Sequence, residues 1–354
     1  MSFTEREQGL LYALQRGLPL EPRPLAAVGA AWGFSEDAVA EFIRRMLAEG
    51  YARRLGAVFD ARRLGYRSVL CAASLPDRAA TEAVAAAVVP HPGVTHCYER
   101  GWPAELDPDG PGGPHGRPAP NLWFTLAAPD REFDAALHAV RQAARPAALL
   151  VLPARTRFKI DVVFDPRARD RDERFPGSSS AAGAAALADE SVTELAASER
   201  AVVRLLQGSL PPVPGLFVNA ADALHVPVER LLELLRGWRA RGILRRVALV
   251  VRHGSVGFKA NSMCVWHVPA AEMGAAGRRL AACPEVTHCY EREAVPEFPY
   301  NLYAMIHAAD WAGVRGLFAE VAGAAGMHAG RMLCSLREFK KSSMQYFADE
   351  EHRA

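Results

Sequence analysis

A seven-residue segment that occurs twice in this chain carries the side chains best suited to chemistry. The segment, Val-Thr-His-Cys-Tyr-Glu-Arg, lies at 94–100 and again at 286–292. Strand alternation would place the histidine, tyrosine and arginine of each copy on one face with the first valine, and the threonine, cysteine and glutamate on the other. An imidazole can transfer protons near neutral pH, and a guanidinium can bind a carboxylate through two parallel hydrogen bonds. The repeat therefore predicts a polar face with acid–base and anion-binding capacity.

The strand predicted after the second copy would add polar side chains to the same face. Asn301, Tyr303 and His307 alternate there with apolar residues, which we expect to face the helices. An exposed sheet face, or a face packed against a second sheet, would also carry polar groups, but neither requires an identical heptapeptide in both copies. The candidate face of the second half therefore comprises His288, Tyr290, Arg292, Asn301, Tyr303 and His307.

The heptapeptide belongs to a longer internal repeat, which indicates a tandem duplication. Leu14–Leu20 corresponds to Leu206–Pro212 at an offset of 192 residues (206 minus 14), and the heptapeptide keeps this offset. The offset falls to 180 between Asn121 and Asn301 (301 minus 121), because the first half has a longer loop rich in glycine and proline, Gly101–Pro120.

Each half divides into a helical part and a part in which strands and helices alternate. Three short helices precede a strand pair at Ala52–Phe59 in the first half, an order typical of a winged helix-turn-helix. The third of these helices is predicted at Pro227–Arg241 in the second half and from Ser35, its N-cap, to Gly50 in the first half. The alternating part has the order β-α-β-β-α-β, which predicts a ferredoxin-like sheet with both helices on one face. Its six segments in the second half are Gly257–Val268, Ala270–Cys283, Val286–Glu293, Tyr300–His307, Asp310–Ala325 and Arg331–Phe347.

The predicted fold class is therefore α+β, a tandem duplication of a winged helix-turn-helix plus a ferredoxin-like (βαββαβ) domain. Between the halves, the composition passes from charged residues to serine, glycine and alanine, which is typical of a flexible linker. The predicted boundaries are 1–60 and 61–165 in the first half, 166–192 for the linker, and 193–252 and 253–354 in the second half.

Composition and motifs exclude several classes of protein. The 354 residues are 50% hydrophobic and 23% charged with a net charge of +2, so bulk charge would not attract nucleic acid. No apolar stretch approaches the roughly 20 residues that cross a bilayer, and no signal-peptide layout opens the chain, so we expect a cytoplasmic protein with no membrane partner. The six cysteines form no Cys-x-x-Cys pair, and phosphate-loop, hydrolase and zincin motifs are missing, so we expect no metal site.

Lysine is rare in this chain, which nearly always uses arginine for positive charge. Lys159 and Lys340 nevertheless occupy equivalent strand positions in the two halves. Their retention favours a role that arginine cannot fill, although drift at the end of a sheet explains the pair equally well.

The helix-turn-helix raises the alternative of a DNA-binding regulator. A recognition helix places its first residues against bases and phosphates. In the first half these positions include Glu36, Asp37 and Glu41, and in the second half they include Glu229 and Glu233. Because carboxylates repel phosphates, we expect the helix-turn-helix to be structural, with no DNA partner.

Several motifs together resemble one known family. Arg53–Tyr66 reads R-R-x-G-A-x-F-D-x-R-x-L-G-Y, the heptapeptide contains H-C-Y-x-R, and Asn301–His307 reads N-L-Y-x-M-I-H. With a helix-turn-helix followed by a ferredoxin-like domain, the layout of Lrp/AsnC regulators, these motifs resemble the siroheme decarboxylases. The resemblance covers nearly the whole chain and is closest to the fused form, in which two subunit types lie on one polypeptide.

The resemblance implies an activity, a substrate and a set of site residues. The family removes CO2 from the acetates at C12 and C18 of siroheme, giving 12,18-didecarboxysiroheme on the way to haem d1. It needs no cofactor beyond the iron of the substrate. Arginine is the better carboxylate clamp, and a histidine is a suitable acid for the ring carbon beside the acetate. The substrate-binding candidates are Arg53, Arg54, His96, Arg100, Lys159, Arg245, Arg246, Arg292, Asn301, Tyr303 and Lys340.

The two halves are not equivalent, which favours the second half as the catalytic one. Ala127 of the first half aligns with His307, and Trp123 aligns with Tyr303. We therefore expect His288 and His307, with Tyr290, to be catalytic. The first half would complete the pocket, and the halves would pair within the chain, with a homodimer as a further option. A transcriptional regulator and a non-catalytic tetrapyrrole carrier or sensor, with histidines as iron ligands, remain alternatives.

Overall fold

The computed structural model describes residues 3–101, 119–165, 167, 185–186, 191–252, 254, 257–324 and 330–348. The predicted loop at 101–120 and the linker at 166–192 lie largely outside these residues. The helices are α1 (Glu5–Arg16), α2 (Pro24–Ala30), α3 (Glu36–Ala48), α4 (Arg78–Val88), α5 (Phe133–Ala143), α6 (Ala197–Gln207), α7 (Leu216–Ala223), α8 (Val228–Ala240), α9 (Ala270–Ala282) and α10 (Trp311–Ala324). The strands are β1 (Ala52–Phe59), β2 (Tyr66–Ala73), β3 (Val94–Gly101), β4 (Leu122–Pro129), β5 (Leu149–Leu152), β6 (Ala154–Ile160), β7 (Ala185–Ala186), β8 (Leu244–Val251), β9 (Ala260–Trp266), β10 (Val286–Arg292), β11 (Leu302–Ala308) and β12 (Gly330–Lys341).

Each half begins with the predicted three-helix unit, α1–α3 or α6–α8. Helix α1 begins with a capping box, in which the Thr4 hydroxyl accepts the Glu7 amide and the Glu7 carboxylate accepts the Thr4 amide. The predicted N-cap Ser35 is confirmed, because its hydroxyl accepts the amide of Ala38 at the start of α3. Short polar caps thus set the positions where these helices start.

The strand after each three-helix unit pairs with its counterpart from the other half. β1 runs antiparallel to β8, with Leu55 opposite Leu249. The predicted strand pair at Ala52–Phe59 is therefore wrong, since this segment is a single strand of eight residues whose partner lies in the second half. Both helical units share one hydrophobic core with this two-stranded sheet, and Leu11 and Trp238 contribute to it.

The alternating part of each half has the predicted β-α-β-β-α-β order. The elements are β2, α4, β3, β4, α5 and β5 in the first half and β9, α9, β10, β11, α10 and β12 in the second. β4 lies between β2 and β3, and β11 lies between β9 and β10, as the ferredoxin-like order requires. The last strand ends at Lys341 rather than at the predicted Phe347.

The last strand of each half crosses onto the sheet of the other half. The first part of β12 pairs with β9 of its own half, and its second part, from Cys334 to Lys341, pairs with β3 of the first half. In the first half, β5 pairs with β2, and β6, which follows after Pro153, pairs with β10 of the second half. β5 lies at one end of the strand order, and β6 lies at the other, followed only by the two-residue β7. Because β5 and β6 are nearly continuous in the chain, the sheet closes on itself.

The sheet faces that lack helices therefore meet in the interior of the molecule. This explains the polar face as a contact with a second sheet, one of the two structural explanations left open by the sequence. An apolar cluster separate from the two helix-covered cores fills part of this interior, and its buried members are Ala72, Trp123, Leu152, Met263, Val265, Phe298, Tyr303 and Leu333.

Candidate active site

A β-bulge in each repeated heptapeptide corrects the predicted alternation. The pairing register shifts between Val94 and His96 in β3 and between Val286 and His288 in β10. Both valines consequently pack in the helix-covered cores rather than beside the histidines. The bulge also turns the side chain of Thr287 toward His288, where strict alternation would have placed it on the opposite face.

Thr287 connects the two histidines that were predicted to be catalytic. Its Oγ1 lies 3.0 Å from Nδ1 of His288 and 3.0 Å from Nε2 of His307. The ring of Phe164 meets the His307 ring edge to face at 5.2 Å between centroids. The structure thus brings His288 and His307 together through a hydroxyl that the sequence reasoning did not single out.

In the first half, the equivalent threonine, Thr95, contacts one histidine instead of two. Nδ1 of His96 lies 3.0 Å from Oγ1 of Thr95, as at the equivalent pair in the second half. Ala127, which was aligned with His307, supplies no second imidazole. The difference predicted from the repeat is therefore present around the histidines themselves.

Both heptapeptide histidines are neutral at pH 7 in the ligand-free protein. Burial, reinforced by the positive charges of Arg245 and Arg292, lowers the pKa of His288 to about 4. Burial, reinforced by Arg53 and other cations, lowers the pKa of His96 to about 3. A bound polyanion would offset this positive field and favour protonation of the rings.

Two arginines of the heptapeptides place guanidinium groups inside the molecule. Arg100 is 7% exposed and donates to the Ser335 hydroxyl and, at 3.4 Å, to a backbone carbonyl. Arg292 donates to the Leu152 carbonyl at 2.8 Å, and its guanidinium lies over the ring of Tyr290. Within the described residues, neither arginine has a carboxylate at ion-pair distance, so both are suited to an anionic ligand.

Tyr290 and Tyr303 border the guanidinium of Arg292. The centroids of their rings lie 5.1 Å and 5.5 Å from its central carbon. Burial raises the pKa of both phenols, so both are neutral hydrogen-bonding groups at physiological pH. The Tyr303 hydroxyl has no hydrogen-bond partner among the described residues.

The arginines at the edge of the second-half site are already neutralised by the protein. Asp60, from the first half, accepts Arg245 at 2.7 Å and Arg157 at 3.0 Å. Arg246 donates to Asp161 at 3.0 Å. Asp60 is a site residue that sequence reasoning missed, because its contribution to the opposite half depends on the pairing of β1 with β8.

At the equivalent edge of the first-half site, the charges are reversed. Arg252 stands at the position equivalent to Asp60 (252 minus 192), and Glu338 stands at the position equivalent to Arg157 (338 minus 181). Glu338 lies 3.9 Å from Lys341 and accepts the Tyr98 hydroxyl at 3.3 Å. Burial, with a smaller contribution from the charge of Arg252, lowers the pKa of Arg53, so two cations are neighbours where the second half has an ion pair. The repeat alignment carried this signal, since Asp60 and Arg252 differ in sign.

Four residues predicted to bind substrate make hydrogen bonds within the protein. The ammonium groups of Lys159 and Lys340 donate at 2.7 Å to the carbonyls of Cys283 and Val89, beyond the ends of helices. Asn301 holds the loop after β9, because its amide donates to the Val268 carbonyl and accepts the Val268 amide. Arg54 donates to the carbonyl of Ala57 in its own strand. These contacts orient the four side chains, and substrate binding by them stays a prediction.

The described residues contain neither a metal-ligand cluster nor a membrane-spanning helix. No group of three or more histidine, cysteine, aspartate or glutamate side chains could hold a metal ion. No helix in this part of the chain combines the length and apolarity of a membrane span.

Comparison with known families defines the class of protein. Residues 63–159 and 255–340 match the AsnC-like ligand binding domain family. Residues 7–53 match the siroheme decarboxylase NirDL-like HTH domain family. The chain is therefore a tandem protein of the Lrp/AsnC fold, in which two ligand-binding domains enclose a buried, arginine-lined interior.

Individual relatives identify the family within this class. A siroheme decarboxylase of Hydrogenobacter thermophilus is 32% identical over 349 residues, which cover 97% of this chain and 96% of the relative. A siroheme decarboxylase NirDL subunit of Paracoccus denitrificans is 33% identical over 323 residues, which cover 90% of each chain. The crystal structure of the siroheme decarboxylase NirDL has a TM-score of 0.68 at 29% identity and covers 99% of this chain and 96% of its own. A co-complex of NirDL with an iron-uroporphyrin III analogue has the same TM-score. This chain belongs to the siroheme decarboxylase family.

Proposed function

We propose that this protein is a carboxy-lyase that removes CO2 from the C12 and C18 acetates of siroheme, giving 12,18-didecarboxysiroheme for haem d1 formation. The observation that carries the proposal is that the buried Arg100 and the half-buried Arg292 have no carboxylate partner among the described residues, and each lies on the same strand as a neutral histidine. A buried cation of this kind is stabilised by an anionic ligand, and siroheme carries carboxylates around its whole periphery. Its relatives named siroheme decarboxylases support the same substrate.

The arginines would bind the carboxylates that stay on the macrocycle. Arg53, Arg100 and Arg292 are the cations least balanced by protein carboxylates, whereas Arg245 and Arg246 are held by Asp60 and Asp161. A clamp on the leaving carboxylate would stabilise the ground state and slow its loss. The interior, which excludes most water, would favour departure of that group as neutral CO2.

The proton donor would supply the catalytic gain. Protonation of the ring carbon beside the acetate creates a cationic electron sink. The bond between the methylene and the carboxylate then breaks, CO2 leaves, and the electron pair forms an exocyclic double bond to the ring. Return of the ring proton and protonation of the methylene yield the methyl group, with a net uptake of one proton per CO2. We assign the donor role to His288, with His307 and Tyr290 beside it. No cofactor is needed beyond the iron of the substrate.

Anaerobic incubation with siroheme, followed by mass spectrometry of the tetrapyrrole, tests the proposal. We expect a loss of two CO2 units that His288→Ala abolishes and His96→Ala retains. The opposite pattern would place the site in the first half. Tight binding with unchanged mass would contradict the enzyme and support a carrier or sensor with histidine ligands to iron.

We also propose that the protein acts in the cytoplasm as a single paired chain and does not bind DNA. Glu36, the first residue of α3, is 7% exposed and accepts the Gly215 amide of the other helical unit and the side chain of Arg23. The start of this helix is therefore engaged within the protein instead of presenting a basic end to phosphates. Retarded migration of a mixed-sequence DNA duplex at low salt would contradict this proposal and favour the regulator, and a sedimentation mass of twice the chain would show a homodimer.

A further inference from the structure

Thr287 joins two imidazoles in the second half, and the equivalent hydroxyl of the first half does not. Its Oγ1 lies 3.0 Å from both His288 Nδ1 and His307 Nε2. Thr95 keeps only the contact with His96, because Ala127 stands where His307 would be. Among the described residues, a threonine hydroxyl that contacts two histidine rings therefore occurs in only one copy of the repeat.

The donor and acceptor capacity of a hydroxyl makes this arrangement directional. A threonine has one proton to donate, so of two imidazole nitrogens that contact Oγ1, one accepts and the other must donate. If Thr287 donates to Nδ1 of His288, then Nε2 of His307 carries the proton that it donates to Oγ1. His288 in this state holds its own proton on Nε2, an atom without a hydrogen-bond partner among the described residues.

We propose that Thr287 is a positioning residue that relays a proton from His307 to His288 during decarboxylation, an inference that rests on the proposed function. His288 donates its Nε2 proton to the ring carbon of the substrate. At the same time Thr287 gives its hydroxyl proton to Nδ1 of His288 and receives the Nε2 proton of His307, which enters the step as an imidazolium because the bound polyanionic substrate offsets the positive field of the site. His288 thus ends neutral, His307 changes from imidazolium to imidazole, and solvent water returns one proton per CO2 released.

The electrostatics of the site explain why a relay is useful. Burial and the nearby cations Arg245, Arg292 and Lys159 hold the pKa of His288 well below neutral, with Asp161 as the opposing charge. A neutral imidazole is a weak acid unless its second nitrogen gains a proton as the first is lost. The Thr287 hydroxyl lies at the position from which that proton can come.

Three threonine variants test the relay against a purely structural role. Thr287→Val removes the hydroxyl with little change of shape, Thr287→Ser keeps it, and Thr95→Val is the matched change in the first half. We expect Thr287→Val to lower kcat for siroheme decarboxylation by about 100-fold, the order typical of a lost general-acid function. Its affinity for iron-uroporphyrin III, followed by absorbance titration, should equal that of the unmodified protein. Thr287→Ser and Thr95→Val should retain kcat within about threefold.

Each other result has a defined meaning. A wild-type kcat in Thr287→Val, or an equal loss in Thr287→Ser, overturns the relay. If Thr287→Val does not fold, His307→Gln breaks the same link and must give the same loss of kcat with unchanged affinity, and full activity there overturns the relay. Absence of CO2 loss from the unmodified protein, with iron-uroporphyrin III still bound, overturns the proposed function itself and the relay with it.

Discussion

At the scale of single residues, the molecule keeps cations inside that nothing in the described chain neutralises. Arg100 and Arg292 lie in the interior of the closed sheet, where their hydrogen bonds go to backbone carbonyls, a hydroxyl and a thioether. Burying an unpaired charge opposes folding, whereas the same charge favours binding of an anion. Removal of such an arginine should therefore lower the affinity for an anionic ligand without lowering the free energy of unfolding.

Arg292→Met tests this expectation directly. The change removes the charge and keeps an unbranched apolar side chain beside Tyr290 and Tyr303. We expect the free energy of unfolding to stay equal or rise, while affinity for iron-uroporphyrin III falls about 10-fold or more, since a charged hydrogen bond contributes about 1.5–3 kcal/mol. Urea unfolding and absorbance titration measure the two effects. Arg131→Met, at an exposed arginine paired with Glu132, is the control and should change neither. Equal losses of stability and affinity would show that Arg292 is structural.

The two heptapeptide histidines also predict how stability depends on pH. Their folded-state pKa values are lowered to about 4 for His288 and about 3 for His96, below the unfolded value near 6.5. Between these limits the unfolded chain binds protons that the folded chain does not, so the free energy of unfolding falls as the pH falls from 6.5 toward 4. At pH 5 each ring would account for up to about 2 kcal/mol.

A double variant separates this effect from the titration of carboxylates. His96→Gln combined with His288→Gln should lose less stability between pH 7.5 and pH 5 than the unmodified protein. The exposed His138 is the matched control, because His138→Gln leaves the buried rings in place. Identical pH profiles for all three proteins in urea unfolding would contradict neutral burial of the two rings.

At the scale of elements, a pair of equivalent glutamines ties each helical unit to the end of a ferredoxin-like domain. The side chain of Gln15 donates to the Phe164 carbonyl and accepts the Phe164 amide. Gln207 does the same with Tyr346, at 3.0 Å and 2.7 Å. Both glutamines are buried, and each satisfies two backbone groups, those of the buried Phe164 and those of the half-buried Tyr346.

Gln207→Leu should therefore be costly although it replaces a polar side chain by an apolar one. The amide and carbonyl of Tyr346 would lose their partners, and unsatisfied buried groups cost about 1–3 kcal/mol each. We expect the free energy of unfolding to fall by about 2 kcal/mol or more, as measured by urea denaturation, and Gln15→Leu to behave alike. Gln142→Leu, on an exposed position of α5, should have little effect. An unchanged free energy of unfolding in Gln207→Leu would show that the two hydrogen bonds to Tyr346 are not needed for stability.

The elements also show how much of the structure the sequence could reveal. Helix periodicity, caps such as Ser35 and the repeat predicted the three-helix units and the β-α-β-β-α-β order. The bulge before His288 could not be predicted, because an extra residue in a strand changes the sheet face on which the following side chains lie without changing the composition of the strand. The contacts of Lys159 and Asp60 could not be predicted for another reason: their neighbours come from elements far apart in the chain or from the other half. Local sequence patterns specify helices and strands, but they do not specify which strands pair with the other half.

At the scale of the whole molecule, the two halves have diverged in charge while keeping their architecture. Asp60, directly after β1, lies at the second-half site, and Arg252, directly after β8, stands at the equivalent position of the first-half site. At the edge of the second-half site, the arginines are thus paired with Asp60, whereas at the edge of the first-half site Arg53 and Arg252 could bind an anionic ligand. This division is consistent with chemistry at the second-half histidines and with carboxylate binding that also involves the first half.

The strand exchange predicts that neither half folds well alone. Without the second half, β3 loses β12, β6 loses β10 and β1 loses β8, which leaves three unpaired strand edges and an exposed face of the shared helical core. We expect residues 1–165 and 193–354, expressed separately, to aggregate, and the same fragments, expressed together, to co-purify as a one-to-one complex that binds iron-uroporphyrin III. Among the described residues of the linker, only the short β7 pairs with a strand, and we expect removal of the linker to be tolerated. Two monomeric, cooperatively unfolding fragments would contradict the exchange, because a self-contained β-α-β-β-α-β domain needs no partner to complete its sheet.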